Sequence, residues 1–253
     1  MLEIGGIKIH SYGFFIALGY VCTLLMGRWL ARSRGLDPGP FMDLAFIAIV
    51  SGVVGARLLY VITMPGDFLA HPAQILDFWS GGLVFYGGFL LATVACLAYG
   101  FLRKMPILLS TDIVVTGVAF AHGFGRIGCF AAGCCHGNYC PYPWAIHSDS
   151  PFVAETLRHQ PIHPVQLYES ASLFFLSGLL IWIIRGRKLR DGLPAIVYLM
   201  GYAAIRFVWE MFRGDIDRGD VFGGLLSTSQ FIALGLFTLG FGLFFFLIGR
   251  KHT

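Results

Sequence analysis

Residues Ile107–Phe130 read ILLSTDIVVTGVAFAHGFGRIGCF. A helix can cross the hydrocarbon core of a bilayer when about 20 consecutive residues are mostly apolar, and this stretch is long enough. Six others qualify: Tyr12–Leu30, Phe41–Ile62, Gly82–Leu102, Pro164–Ile184, Leu193–Phe212 and Ser229–Ile248. Seven spans of about 20 residues occupy more than half of a 253-residue chain, and what remains is too short for a separate soluble domain. The expected fold is an all-α membrane protein of seven transmembrane helices, with residues 1–253 as a single integral-membrane domain.

Composition agrees. Charged residues make up 13% of the chain and hydrophobic ones 57%, where a soluble domain carries about 25% charge. Mean hydropathy is +0.73. Disorder, a disulfide-stapled miniprotein and an ordinary cytosolic enzyme are excluded. The start, Met1-Leu2-Glu3, has no basic region ahead of the first apolar stretch, whereas Arg28, Arg32 and Arg34 follow it. That pattern reads as a retained anchor and not as a cleaved signal peptide.

Basic residues set orientation, because they favour the cytoplasmic side. Arg28, Arg32 and Arg34 follow the first span, Arg103 and Lys104 the third, Arg185, Arg187, Lys188 and Arg190 the fifth, and Arg250 and Lys251 the seventh. The other side holds only Lys8, Arg158, Arg213 and Arg218. The N-terminus is expected outside and the C-terminus in the cytoplasm. The net charge of +4 is accounted for this way and implies no nucleic-acid partner. The longest outer connection, Ala131–His163, is rich in Cys, Pro and aromatic residues, and Trp144 within it suits a membrane interface.

Arg57, Arg126, Arg206, Glu169 and Glu210 fall inside or at the edges of spans. An ionised side chain at mid-bilayer costs on the order of 2.5–3.5 kcal/mol on insertion scales, so these must pair or face a wet cavity. Their formal sum, one positive charge, matches a single phosphodiester anion. Arg206, Glu210 and Arg213 follow i, i+4, i+7 spacing, one face of one helix. Gln166, Glu169 and Ser170 share a face of the fifth span, with Pro164 suited to its first turn. Two readings stand: ion pairs that hold a bundle together, or an arginine fork for phosphate, whose planar geometry binds such groups bidentately.

The run Gly123-Phe124-Gly125-Arg126-Ile127-Gly128-Cys129-Phe130-Ala131-Ala132-Gly133 sets an arginine among glycines, which lets backbone approach a ligand closely. Gly52, Gly55, Gly87 and Gly88 read instead as sites where membrane helices pack tightly.

At these residues the chain resembles the bacterial phosphatidylglycerol–prolipoprotein diacylglyceryl transferase family. The resemblance rests on Gly125-Arg126-Ile127-Gly128 through Gly137, on His163-Pro164-Val165-Gln166-Leu167-Tyr168-Glu169, and on Arg206-Phe207-Val208-Trp209-Glu210-Met211-Phe212-Arg213. His10-Ser11-Tyr12-Gly13 and Ser80-Gly81-Gly82-Leu83 extend it over nearly the whole chain. The resemblance implies a multi-pass enzyme of the bacterial cytoplasmic (inner) membrane with its site near the outer leaflet. Such an enzyme transfers diacylglyceryl from phosphatidylglycerol to the lipobox cysteine of a preprolipoprotein, releases glycerol phosphate and takes no metal or cofactor. Carried over by position, Arg126 and Arg206 are the phosphate-binding arginines. Tyr12, Arg57, Cys129, Gly137, Gln166, Tyr168, Glu169 and Arg213 are further substrate contacts, and Tyr86, Glu210 and His163 join the catalytic set.

Two departures follow from the same resemblance. Tyr86 stands where the family commonly has histidine, and a phenol with pKa near 10 is a poor base at neutral pH. It reads equally as a hydrogen-bond donor or as an interface aromatic. Cys129 stands where asparagine is usual, and with Cys134, Cys135, His136 and Cys140 it matches no common zinc spacing. In an oxidising outer loop a disulfide from Cys140 to Cys134 or Cys135 is the first expectation, with structural thiols, metal and a reactive acceptor thiol as alternatives. Cys22 and Cys96 read as small core residues.

These departures leave room for a paralogue with another acceptor. A phospholipid-binding or transport protein is a third reading, although the sequence lacks the paired repeats of transporters. Of the other histidines, His122, one turn before Arg126, and His10 are cavity candidates. His71, His147, His159 and His252 read as solvent-facing.

Overall fold

The computed structural model describes residues 2–4, 7–9, 11–77, 82–186, 190–215 and 219–249, with backbone alone for 2–4, 7–9, 67, 69 and 70. Met1, His10, Ser80, Gly81, Arg187, Lys188, Arg218, Arg250, Lys251 and His252, used in the sequence reading, lie outside the described residues, as does the Lys8 side chain.

Seven helices are long and apolar enough to cross a membrane: α1 Ser11–Ser33, α2 Gly39–Thr63, α4 Phe85–Leu102, α5 Ile107–Ala132, α6 Val165–Gly186, α7 Leu193–Glu210 and α8 Thr228–Gly249. A six-residue helix, α3 Pro65–Ala70, follows α2. Two short 3-10 helices, Pro72–Leu76 and Glu155–Leu157, and two short antiparallel hairpins, β1 Leu2–Ile4 with β2 Ile7–Ile9 and β3 Asp220–Val221 with β4 Leu226–Ser227, complete the described elements. Helices suit this environment because hydrocarbon offers the backbone no hydrogen-bond partner, so each segment must satisfy its own. Their outward faces are apolar, with Phe46, Ile62, Phe101, Phe175 and Trp182 all exposed.

The predicted spans coincide with the seven helices to within three residues at every end. At the third, the helix starts at Phe85 and not at Gly82, because Gly82 takes a positive φ of 70° and Val84 is extended. The other shift has a consequence: α7 ends at Glu210, before Arg213. Arg213 therefore does not continue the Arg206–Glu210 helical face, which corrects the i+7 expectation. It sits in an antiparallel bridge with Gly137.

The chain divides into two compact units, Gly27–Ser110 and Met1–Met26 with Thr111–Thr253. In the first, α2 and α4 meet backbone to backbone. A Cβ on Gly55 would lie 2.6 Å from Leu91 Cβ, and one on Gly88 2.6 Å from the Gly52 carbonyl oxygen. Close approach of this kind drives association where there is no hydrophobic effect between helices, and it is the packing expected of Gly52, Gly55, Gly87 and Gly88. Val84 N–H donates to the Ala56 carbonyl at 3.0 Å, which pins the entry to α4.

In the second unit, α1 meets α5 through small residues, with Thr23 Oγ1 donating to Gly117 O at 2.9 Å. Ser177 and Ser170 of α6 donate to Thr116 O and Gly123 O of α5 at 3.1 and 2.9 Å. Asp112, buried in α5, accepts from the N–H groups of Gly192 and Ala195 at 2.7 and 2.9 Å, so it caps α7 from another helix. The connection after α5 is pinned by backbone bridges of Tyr139 and Ile146 to Ile162. Its interior holds Cys140, Val153 and Ile162, while Trp144 is exposed and stacks on Tyr142 at 4.8 Å.

Candidate active site

Glu169 lies one turn inside α6 and is 1% exposed. Its carboxylate gathers arginines from three parts of the chain. Arg126 of α5 donates from Nη2 to Oε1 at 3.0 Å, and its Nε lies 2.9 Å from Oε2 in an ion pair. Arg206 of α7 reaches Oε1 with Nη1 at 3.4 Å, and Arg213 lies 3.8 Å from Oε2. Arg206 also pairs through Nη2 with Glu210, one turn along its own helix, at 2.7 Å. The same Nη2 donates to Ser229 Oγ at 3.1 Å. Ser227 donates to Glu210 at 3.3 Å. Arg213 forks onto Asp215 at 2.9 and 2.8 Å.

Three guanidiniums thus face three carboxylates within one unit, where the sequence had suggested one spare positive charge. Exposure is what distinguishes the partners. The side chains of Glu169 and Glu210 are 1% and 4% exposed, whereas Arg126 and Arg206 are 13% and 12%. The carboxylates are sealed behind and the cations remain reachable, an arrangement that presents positive charge to an incoming anion. Arg213 is also buried. Burial works against its charge, but Asp215 outweighs it and holds the guanidinium proton above its ordinary range.

The periodicity of α6 puts Gln166 beside Glu169, and both are buried. Gln166 Nε2 donates to the Cys134 carbonyl at 2.7 Å. Its buried Oε1 has no hydrogen-bond partner among the described residues, so an acceptor stands ready for a ligand donor. His163 precedes α6. Its Nδ1 lies 3.2 Å from Tyr168 OH, its backbone N–H donates to Asn138 O at 2.9 Å and its ring meets Phe212 edge-on. Burial lowers its pKa. Tyr168 leans on Trp209 at 5.0 Å.

Gly137 bridges to Arg213 and packs so closely on the turn before α6 that a Cβ would lie 2.7 Å from His163 Cβ. Only glycine lets the two strands of chain meet there. Tyr12, at the start of α1, lies over Gly128, where a Cβ would be 3.1 Å from its ring. The ring of His122 packs against Tyr202 of α7 at 5.5 Å. His71 and His147 are exposed, as is His159, which pairs with Asp149.

Tyr86 and Arg57 belong to the Gly27–Ser110 unit. Tyr86 is exposed on the first turn of α4. Arg57 is buried, donating to Ile75 O and Gly82 O at 3.1 Å each and to Gln74 O, with its guanidinium over the rings of Tyr60 and Phe68.

The expected disulfide is absent. All six cysteines are free, and the thiols that converge are Cys129, Cys134 and Cys135, while Cys140 is buried in the loop interior. Cys135 receives a hydrogen bond from Cys129 and lies against Arg213 and Arg126, which pulls its thiol down to about 4 despite burial. Burial pushes Cys134 the other way.

Sequence reasoning passed over Asp215, Ser227, Ser229 and Asp112. Asp215 carried a signal in its place two residues after Arg213. The serines and Asp112 did not, because their partners come from other helices or turns.

Residues 1–246 match the family model described as prolipoprotein diacylglyceryl transferase. The phosphatidylglycerol–prolipoprotein diacylglyceryl transferase of Clostridium tetani is 35% identical over 99% of this chain and 97% of its own length. A second enzyme of that name from Clostridium perfringens is also 35% identical, over 99% and 96%. The Synechococcus elongatus enzyme is 30% identical over 100% of this chain and 88% of its own. With a family match that covers residues 1–246 and relatives at 30–35% identity over nearly its full length, the chain belongs to the prolipoprotein diacylglyceryl transferase family.

Proposed function

We propose that this chain transfers the diacylglyceryl group of phosphatidylglycerol to the lipobox cysteine of a preprolipoprotein, with Arg126 and Arg206 holding the phosphate. The observation that carries this assignment of residues is their posture: two guanidiniums from different helices share one sealed carboxylate and stay accessible themselves. A phosphate oxygen entering beside them is met by charge-assisted donors that are already aimed, so little reorganisation is needed.

In the reaction the cysteine sulfur forms a bond to the terminal glycerol carbon of the diacylglyceryl group. The bond from that carbon to the phosphate oxygen breaks, its electron pair leaves on glycerol phosphate, and the proton of the acceptor thiol is released to solvent. The arginines stabilise that growing charge, a contribution of about 3–4 kcal/mol per oriented donor in a dry site. They also favour the thiolate of the acceptor, whose free thiol has a pKa near 8.5. Gln166 and Tyr12 act as substrate contacts, and Gly137, His163 and Tyr168 as the support that holds the Arg213 strand beside α6. Tyr86 takes the place of a general base in name only: a phenol at neutral pH donates a hydrogen bond. Residues 1–253 act as one catalytic domain in the bacterial cytoplasmic membrane, N-terminus outside, with the site facing the outer leaflet.

The test is turnover in proteoliposomes containing phosphatidylglycerol and a lipobox peptide. The peptide is expected to gain the diacylglyceryl mass with release of glycerol phosphate, and Arg126→Ala or Arg206→Ala each to lose about 10²–10³-fold in rate. Full activity in either variant removes the phosphate clamp. Lipid flux across the vesicle without peptide modification would favour a transporter.

A further inference from the structure

The three thiols beside the arginine cluster have no part in the chemistry above. Cys129 lies in the last turn of α5, and Cys134 and Cys135 in the turn that follows it. Neighbouring residues usually direct their side chains apart. Here Gly133 and Cys135 both take a left-handed backbone, φ 70° and 60°, and a non-glycine residue holds that conformation only where its surroundings impose it. The turn is further tied by Cys134 N–H to Cys129 O at 3.1 Å and by Gln166 Nε2 to Cys134 O at 2.7 Å. The result is three sulfurs within 4.8 Å of one another.

We propose that Cys129, Cys134 and Cys135 form a binding site for one thiophilic metal cation of the Zn²⁺ or Cu⁺ class. Thiolates bind Zn²⁺ at about 2.3 Å, which sets three such sulfurs about 4 Å apart and requires only a small contraction here. Soft sulfur donors select this class over Mg²⁺ or Ca²⁺. A disulfide would use two of the sulfurs and leave the third without a role, whereas a trigonal site uses all three. His136, next in sequence, is not a fourth ligand: its Nδ1 meets Gly137 O at 3.0 Å and its Nε2 accepts from Ala154 N–H at 3.4 Å.

Charge is compatible with binding. Three thiolates around a divalent cation leave one negative charge, and Arg213, hydrogen-bonded to Cys135, stands beside it. Loading releases the remaining thiol protons to solvent and changes no oxidation state. The site leaves a coordination position open to an external ligand.

The experiment uses the full chain in detergent, reduced with a phosphine, stripped with chelator and titrated with Cd²⁺ and then Zn²⁺. The expected result is one ion per chain, a thiolate-to-cadmium charge-transfer band, three sulfur neighbours by X-ray absorption, and three of the six thiols shielded from alkylation. Cys129→Ser, Cys134→Ser and Cys135→Ser should each weaken binding beyond the roughly 10–100-fold that loss of an outer-sphere partner causes, whereas Cys140→Ser should leave it unchanged. If a serine variant fails to fold, the sulfur count and thiol shielding of the wild-type protein still decide. No stoichiometric ion on the reduced protein, an oxygen or nitrogen shell, or a metal-free disulfide among the three overturns the proposal. Transferase activity does not enter any of these readings.

Discussion

Arg57 and Arg126 both sit on predicted membrane spans, and the protein accommodates them in different ways. In the Gly27–Ser110 unit, Arg57 donates to the carbonyls of Ile75, Gln74 and Gly82 and lies over two aromatic rings. Those partners are backbone carbonyls and core rings, which a ligand cannot displace by exchanging one side chain for another. In the other unit, Arg126, Arg206 and Arg213 gather on Glu169, Glu210 and Asp215. Side-chain ion pairs are exchangeable, because another anion can take the place of an oxygen at small displacement. A carbonyl cage fits a structural role, whereas a shared carboxylate with reachable arginines fits the phosphate clamp proposed above.

The largest effect expected from this contrast is on Glu169. Removing one member of a buried charge network strands the rest, at about 3–5 kcal/mol. Glu169→Gln should lower the unfolding free energy in detergent by that order, and an unchanged unfolding curve would show that the arginines do not depend on it. Lysine substitutions sharpen the comparison next. Arg57→Lys loses the fork onto three carbonyls and should cost about 1.5–3 kcal/mol of stability while the refolded fraction keeps its turnover. Arg206→Lys should show the reverse, a large fall in rate with a modest shift in melting. If Arg57→Lys instead raises KM at constant stability, Arg57 is a substrate contact and the contrast fails.

Backbone contact between α2 and α4 is the next target. Gly88→Ala places a Cβ 2.6 Å from the Gly52 carbonyl, and overpacking of this kind costs about 1–3 kcal/mol. Gly13→Ala, where nothing lies within 4 Å, is the control and should be neutral.

The smallest expected effect is one of pH. Burial lowers the pKa of His163 in the folded state below the ordinary imidazole value of about 6.5, so the folded protein binds fewer protons there than the unfolded chain. Stability from this group is therefore full above 6.5 and declines as pH falls toward the lower folded value. His163→Gln should flatten that part of the stability profile, and an unaltered slope would show that the ring titrates freely.

The spans were readable because a transmembrane helix is a local property: length and apolarity suffice, and no distant partner is needed. The shared burial of Gln166, Glu169 and Ser170 was readable for the same reason, since 3.6-residue periodicity puts them on one face. Arg213 was readable as a member of the charged cluster but not as a position. Helical counting carried it past the end of α7, while Gly137 and Gly214, which allow the strand of chain from 212 to 214 to pair with residues 136–138, give no periodic signal. Cysteine spacing suggested a disulfide to Cys140, because spacing says nothing about a left-handed turn that swings Cys134 and Cys135 toward Cys129.

What the amino-acid order determined by itself was seven apolar helices, the placement of charges within them and a membership in one enzyme family. Only the tertiary structure decided which arginine meets which carboxylate, that Arg57 is caged by backbone, and that three thiols converge. The reason is physical. Apolar length and helical period act within about 20 residues, but an ion pair between Arg126 and Glu169 depends on the rotation and depth of two separate helices, and packing sets those.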